Sequence, residues 1–191
     1  MKICLYGSSS TDIDSLYIDA VEKLGHLMAN RGHSLVFGGG AQGLMGAAVR
    51  GITAENGRSL GIAPKFFDKP GILFKECTDF IFTDTMRERK ELMEKNADAF
   101  LVVPGGIGTF EEFFEILTLK QLNQLNKPIA LYNINGYYDS LANLLENTIR
   151  LGFMKEECHK IYGIYSDADS LLAALEEEAF RPLDLRNLKN I

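Results

Sequence analysis

The stretch "AFLVVPGGIGTFEE", residues 99–112, contains a complete change of local structure. Its first five residues are all apolar, which is typical of a strand that is buried on both faces of a sheet. A proline and three glycines follow, and the apolar residues after them recur with helical spacing. A buried strand that leads through a glycine turn into a helix is the repeating unit of a parallel α/β sheet.

The same alternation of short apolar runs and amphipathic segments continues along the chain. The other predicted strands are "KICLYG", "SLVFGGG", "SLGIA", "FIFTD", "PIALYN" and "KIYGIYS". Further helices are predicted over 14–30, 44–56 and 137–151, from Met86 onward, and over "DADSLLAALEEE". We predict one α/β domain over 1–191, with a doubly wound parallel sheet and helices on both faces. Residues 64–75 are predicted to form a loop, and the polar tail 181–191 to be loosely ordered.

Composition limits the classes of function. The chain has 191 residues, 46% hydrophobic and 24% charged, as in an ordinary globular protein. Its formal net charge of −6 argues against a nucleic-acid-binding surface, although a glycine turn with two basic side chains can still hold a small anion. The three cysteines show no metal-ligand spacing, no segment has the roughly 20 apolar residues that span a bilayer, and no signal peptide is recognisable. The sequence therefore predicts a reduced, cytoplasmic protein without a membrane or nucleic-acid partner.

Ligands of a doubly wound sheet bind outside the carboxyl ends of its strands, and four segments there carry unusual residues. They are "YGSSS" (6–10), "GGGAQGLMG" (38–46), "TMRERK" (85–90) and "PGGIGTFEE" (104–112). Ser8 offers a hydroxyl in the first, but such a turn is also common without a ligand. Gly39 and Gly43 of the second allow close approach either by a ligand or by another backbone segment. Arg89 and Lys90 lie near a helix start, where the dipole disfavours cations, and they suit either an anionic ligand or a solvated charged face.

Glu112 is open to two interpretations. Thr109 and Glu112 match a capping box, in which Thr109 is the N-cap and the glutamate accepts a hydrogen bond from its N–H. Helical spacing points elsewhere, because Glu111 aligns with polar residues such as Thr118, whereas Glu112 aligns with the apolar Ile116. An acid at the head of an apolar face either caps the helix or faces a cleft. The glycine turn before it suits a phosphate at the helix N-terminus.

The motifs together resemble the LONELY GUY (LOG) family of cytokinin-activating phosphoribohydrolases, long described as lysine decarboxylases. "PGGIGTFEE" fits the family pattern PGGxGTxxE, and "MRERK" upstream fits its partner motif. "GSSS", "GGGAQGLMG" and "NGYYDSL" occur in the family's order, so the resemblance spans most of the chain. Ile107 and Phe110 depart from the family's frequent tyrosine and leucine. The resemblance implies a Rossmann-like fold and a homodimer or higher homo-oligomer.

The resemblance also implies a reaction. Members of the family hydrolyse the N-glycosidic bond of a nucleoside 5′-monophosphate and release the free base and ribose 5-phosphate. By resemblance, Arg89 and Glu112 are the catalytic pair, no metal or other cofactor is required, and the substrate is AMP or an N6-modified AMP. The candidates for substrate binding, from the resemblance and the four segments together, are Ser8, Gly39, Gly43, Lys90, Gly105, Gly106, Ile107, Gly108, Thr109, Phe110, Glu111 and Thr118.

Two other functions stay open on the sequence. A Rossmann-like domain can bind a nucleotide without turnover, although a simple phosphate binder needs no carboxylate near its anion. A pyridoxal-dependent decarboxylase needs a Schiff-base lysine and a carboxylate on the ring nitrogen, and nothing in the sequence marks such a pair. Release of free base from a nucleotide distinguishes the hydrolase from both.

Overall fold

Seven parallel strands form one sheet in the computed structural model, which describes residues 1–181 and 183–184. The strands are β1 (Lys2–Tyr6), β2 (Ser34–Phe37), β3 (Ser59–Pro64), β4 (Asp79–Thr83), β5 (Ala99–Val102), β6 (Ile129–Tyr132) and β7 (Gly163–Tyr165). Their order in the sheet is β4-β3-β2-β1-β5-β6-β7. The predicted α/β class is confirmed, whereas most of the predicted polar tail, 181–191, lies outside the described residues.

Helices cover both faces of this sheet, as predicted. They are α1 (Ser15–Asn30), α2 (Gly43–Ala54), α3 (Met86–Asn96), α4 (Ile107–Gln121), α5 (Asp139–Arg150) and α6 (Ala168–Phe180). Successive side chains of a strand point to opposite faces, so each strand contributes to two cores. Cys4 and Tyr6 of β1 pack with α3, α4 and α5, whereas Ile3 and Leu5 pack with α1, α2 and α6. Within the described ranges, no helix is both long and apolar enough to cross a membrane.

The strand order reverses at β1, which pairs with β2 on one side and with β5 on the other. Such a switch point is where doubly wound sheets bind ligands. The loops after β1, β2 and β5 meet there. The Ser8 N–H donates to the Pro104 carbonyl at 3.1 Å, and the Leu44 N–H donates to the Ser8 carbonyl at 2.8 Å. Gly43 has a φ of +59°, and a Cβ on it would lie 2.5 Å from the Ser8 carbonyl oxygen, so this junction requires glycine.

The predicted loop after β3 lies along the glycine segment. It starts with a short 3-10 turn, Lys65–Phe67. The Ala41 N–H then donates to the Ile72 carbonyl, and the Phe74 N–H donates to the Gly39 carbonyl, both at 2.9 Å. These bonds attach residues 65–75 to the carboxyl-terminal edge of the sheet. The segment thereby forms one wall of a cleft beside the switch point.

Candidate active site

A cleft of about 730 Å³ opens at the carboxyl-terminal edge of the sheet, beside the switch point. All four segments that the sequence selected contribute to it, and residues of the wall at 65–75 close it on another side. Its lining includes Ser8, Gly38, Arg89, Gly106, Thr109 and Glu112. The motifs that are far apart in sequence therefore meet in one place.

Helix α4 begins earlier than the capping-box pattern predicts. Its N-cap is Gly106, in an extended conformation, and Ile107 is its first helical residue. Of the two interpretations left open for Glu112, the one with Thr109 as N-cap is wrong, because Thr109 is the third helical residue and is buried. Glu112 accepts a hydrogen bond from Arg89 instead of from the start of its own helix. Since a glycine N-cap has no side-chain acceptor, the first N–H groups of α4 lie at the cleft without a side-chain cap.

Two tyrosines of the "NGYYDSL" segment fix the turn before α4. The Tyr137 hydroxyl donates to the Gly105 carbonyl at 2.6 Å, and the Tyr138 hydroxyl donates to the Val103 carbonyl at 2.8 Å. A Cβ on Gly105 would lie 2.1 Å from Thr109 Oγ1, so glycine is needed there for Thr109 to pack against the turn. The two hydroxyls and the Thr109 side chain therefore hold the start of α4 in place and leave its N–H groups without a side-chain acceptor.

A buried ion pair between Arg89 and Glu112 joins α3 to α4 in the cleft. Thr85 caps α3 by accepting a hydrogen bond from the Glu88 N–H at 3.1 Å, and Arg89 follows in the next position. Arg89 Nη1 donates to Glu112 Oε1 at 2.8 Å, and the two residues are only 6% and 9% exposed. Among the buried side-chain nitrogens and oxygens of the described residues, Arg89 Nε alone has no hydrogen-bond partner. The Nε–H is therefore a buried donor that no protein group in the described part of the chain satisfies.

Opposing effects determine the proton affinity of Glu112. Burial raises the pKa of its carboxyl group above that of an ordinary glutamate, while the charge of Arg89 opposes the rise. Tyr6 of β1 is close enough to be affected by both charges, and burial raises the pKa of its hydroxyl well above its usual range. The site thus contains one carboxylate with raised proton affinity, held by one cation and bordered by a neutral phenol.

Lys90 and Glu111, both predicted to bind substrate, lie outside the lining of the cleft. Lys90 Nζ contacts Glu111 Oε1 at 2.5 Å and Glu115 Oε2 at 2.9 Å, so these charges connect α3 to α4. Burial lowers the pKa of Lys90, but hydrogen bonds to Glu111 and Glu115 raise it overall. Thr118 follows on the same helix and is exposed.

The remaining predicted binding residues divide into two groups. The cleft lining includes Ser8, Gly106, Gly108 and Thr109. It does not include Gly39, Gly43, Gly105, Ile107 and Phe110. The Ile107 side chain is 88% exposed to solvent, and the Phe110 ring packs edge-to-face on Tyr138.

The cleft also contains residues that sequence reasoning did not single out. Gly38, Gly40, Gln42, Met45 and Met86 lie within the selected segments but were not named individually, whereas Phe67, Lys69 and Ile72 lie outside those segments. Phe67, Lys69 and Ile72 belong to the predicted loop at 64–75. Phe67 lines the cleft, whereas Phe66 does not. The loop residues follow the carboxyl end of β3 directly, and this position was the sequence signal that could have indicated their place in the cleft.

Comparison with known proteins identifies the same family as the sequence motifs. The profile of a family described as "Possible lysine decarboxylase" matches residues 45–175. Cytokinin riboside 5′-monophosphate phosphoribohydrolase LOG2 of Arabidopsis thaliana is 37% identical over 92% of this chain and 83% of its own length. The corresponding LOG enzyme of Oryza sativa subsp. japonica is 34% identical over 92% of this chain and 73% of its own.

Solved structures of lower sequence identity share the fold. The molybdenum cofactor carrier protein of Chlamydomonas reinhardtii superposes with a TM-score of 0.69 at 20% identity, over 92% of this chain and 96% of that one. The molybdenum cofactor binding protein of Rippkaea orientalis gives a TM-score of 0.66 at 20% identity, over 92% and 94% of the two chains. Together with the doubly wound sheet, these neighbours confirm the predicted Rossmann-like fold.

Proposed function

The chain belongs to the LONELY GUY (LOG) family of phosphoribohydrolases, and from this premise we propose that it hydrolyses the N-glycosidic bond of a nucleoside 5′-monophosphate. The products are the free base and ribose 5-phosphate. The observation that carries the proposal is the buried Arg89–Glu112 pair, which shares one cleft with a helix N-terminus that has no side-chain cap. This combination offers a carboxylate for the sugar and a separate site for the phosphate.

We assign the 5′-phosphate to the N-terminus of α4. The first N–H groups of a helix have no acceptor within it, and the helix dipole adds partial positive charge there. A Cβ on Gly106 or Gly108 would meet no atom within 4 Å, so the approach is open. Lys69 lines the same cleft and forms no ion pair with any described residue, so it adds positive charge. The charge of Arg89, by contrast, is balanced by Glu112.

A phosphate at this terminus brings the ribose toward Glu112, which lies further along the same helix. Cleavage of the C1′–N bond leaves its electron pair on the base and positive charge on C1′ and the ring oxygen. The Glu112 carboxylate stabilises that charge, and its raised pKa suits it to accept a proton from the water that adds to C1′. Arg89 holds the carboxylate ionised and oriented through the hydrogen bond that its Nη1 donates.

Apolar side chains in the cleft suit a purine with an apolar substituent. Met45, Phe67, Ile72 and Met86 are the ones that line it. We propose AMP or an N6-modified AMP as substrate, which includes the cytokinin riboside monophosphates named for the plant relatives. The proposed reaction requires no metal or other cofactor, since the leaving group and the attacking water exchange protons with side chains and solvent.

We further propose that the protein acts in the cytoplasm as a homodimer or higher homo-oligomer. Ile107 and Phe114 are large apolar side chains of α4 that are 88% and 38% exposed, and association of two copies through this helix would cover them. Light scattering on the purified protein measures the number of copies. A monomer at all concentrations would contradict this part of the proposal.

Incubation of the purified protein with AMP and with N6-isopentenyl-AMP, followed by chromatography of the free base, tests the proposed reaction. We expect base release from at least one of the two, with an equal amount of ribose 5-phosphate. Calorimetric binding of these nucleotides without base release from any purine monophosphate would identify a nucleotide-binding module instead. An absorbance band of a bound pyridoxal aldimine would favour the decarboxylase.

A further inference from the structure

The glycine segment after β2 contacts the catalytic pair directly. A Cβ on Gly38 would lie 1.9 Å from Arg89 Nη2, 3.0 Å from its Cζ and 3.3 Å from its Nε. The guanidinium thus packs against the bare Cα of Gly38, while its Nη1 donates to Glu112 at 2.8 Å. No residue with a Cβ fits at this position while Arg89 keeps its place.

The backbone of Gly38 does not itself require glycine. Its φ lies outside the left-handed region, in contrast to Gly39, whose φ is +74°. A Cβ on Gly39 would first meet the Phe80 ring, and one on Gly40 would first meet the Met45 methyl group. In this run of three glycines, only Gly38 has the guanidinium as its nearest neighbour. Position 38 therefore needs glycine because the Arg89 guanidinium takes the space that a Cβ would fill.

We propose that Gly38 is a positioning residue for the reaction, because the space at its Cα holds the Arg89 guanidinium against Glu112. A Cβ at 1.9 Å from Nη2 needs roughly 1.5 Å more to reach ordinary van der Waals contact, which begins near 3.4 Å. A guanidinium is planar and rigid, so displacement of Nη2 also displaces Nη1 from the Glu112 carboxylate. The catalytic consequence rests on the proposed function, whereas the placement of Arg89 can be measured without turnover.

Gly38→Ala, compared with Gly40→Ala, tests the catalytic consequence. Both residues line the cleft, but the added methyl group at 40 meets only the flexible end of Met45, at 2.9 Å. We expect Gly38→Ala to lower kcat/KM for base release by about 10- to 100-fold, because a misplacement of about 1 Å can cost 100-fold. The loss should be clearly larger than in Gly40→Ala. Equal losses in the two variants would overturn the proposal.

An NMR titration of the Glu112 side-chain carboxyl group tests the placement of Arg89 independently of turnover. The titratable and charged groups close to this carboxyl group are Arg89, Lys90, Glu111, Cys4 and Tyr6. Displacement of Arg89 removes the main cation, so the pKa of Glu112 should rise in Gly38→Ala and stay unchanged in Gly40→Ala. An unchanged pKa in folded Gly38→Ala overturns the positioning role. If the pKa of Glu112 rises as expected but the wild-type protein releases no base, only the proposed function is overturned.

The double variant Gly38→Ala/Arg89→Lys covers the outcome in which Gly38→Ala does not fold. Lysine lacks Nη2, the atom nearest to the added methyl group, so it should relieve most of the conflict. In the Arg89→Lys background, Gly38→Ala should therefore cost much less activity and stability than in the wild type. If the double variant also fails to fold while Arg89→Lys folds, position 38 needs glycine for a reason other than Arg89, and the proposal fails.

Discussion

Replacement of Glu112 by glutamine removes the negative charge that we assign to the transition state. The amide is nearly isosteric and can still accept the hydrogen bond that Arg89 Nη1 donates at 2.8 Å. A unit charge about 4 Å from the sugar, at an effective dielectric constant of about 20, contributes about 4 kcal/mol. Since about 1.4 kcal/mol equals a factor of ten, we expect kcat to fall by about 1,000-fold. KM should change far less, because we assign the phosphate to the helix N-terminus.

Base release at saturating nucleotide measures kcat, and urea denaturation measures the free energy of unfolding of each variant. Glu112→Gln should be less stable by about 1–3 kcal/mol, because a buried guanidinium exchanges a charged acceptor for a neutral one. Glu115→Gln is the matched control. Glu115 lies on the same helix, its side chain is 42% exposed, and it pairs with Lys90 outside the cleft. Its kcat should stay close to that of the wild type.

Three outcomes would separate the possible roles of Glu112. A kcat within about tenfold of the wild type would refute the electrostatic reasoning, since the missing charge would then contribute less than about 1.4 kcal/mol. A rise in KM with unchanged kcat would assign Glu112 to ground-state contacts with the ribose hydroxyls. Full activity per folded molecule, with a large loss of stability, would make the ion pair a structural element alone.

Other predictions concern pH and the helices around the site. Burial raises the pKa of Glu112, and the proposed mechanism uses its ionised form. We therefore expect kcat/KM to fall with decreasing pH through a value above the usual ~4.3 of glutamate, as measured by initial rates from about pH 4 to 8. Lys120 is fully buried and pairs with Glu178, and burial lowers the pKa of its amine, so replacement of both partners in Lys120→Met/Glu178→Leu should be neutral or stabilising by up to about 4 kcal/mol. Glu178→Gln, which leaves the buried ammonium with only a neutral partner, should destabilise by roughly 3 kcal/mol; urea denaturation compares the two. Thr85→Ala removes the N-cap of α3 and should lower the free energy of unfolding by about 1 kcal/mol in thermal denaturation.

The order of strands and helices was predictable because each buried strand is a continuous apolar run and each helix repeats its apolar residues at helical spacing. The start of α4 was not predictable in this way. Gly106 and Thr109 are both acceptable N-caps, and the T-x-x-E pattern favours Thr109 on local grounds. The partner of Glu112 is a residue 23 positions upstream, and a local pattern carries no information about such a contact.

The candidate site was predictable in its motifs and less so in its contacts. Arg89 and Glu112 were selected individually, but only the packing of α3 against α4 brings them within 2.8 Å. Gly39 and Gly43 were compatible with close approach by a ligand or by another backbone segment; the nearest neighbour of Gly43 is the Ser8 backbone, whereas that of Gly39 is the Phe80 ring. Lys69 and Phe67 were missed because their positions depend on the path of an irregular segment, which periodicity does not determine.

The charges in the cleft favour separate sites for the sugar, at the Arg89–Glu112 pair, and for the phosphate, at the N-terminus of α4. Burial alone would drive Glu112 toward its neutral form, and Arg89 opposes this through a bond that uses Nη1. A phosphate that bound the same guanidinium edge would compete with Glu112 for its counter-ion and would raise the pKa of the carboxyl group further. The phosphate therefore needs a separate source of positive charge, and in our proposal the N-terminus of α4 and Lys69 supply it without disturbing the pair. A substrate without its 5′-phosphate would lose that anchor, and we expect adenosine to be cleaved far more slowly than AMP while the Arg89–Glu112 bond stays intact.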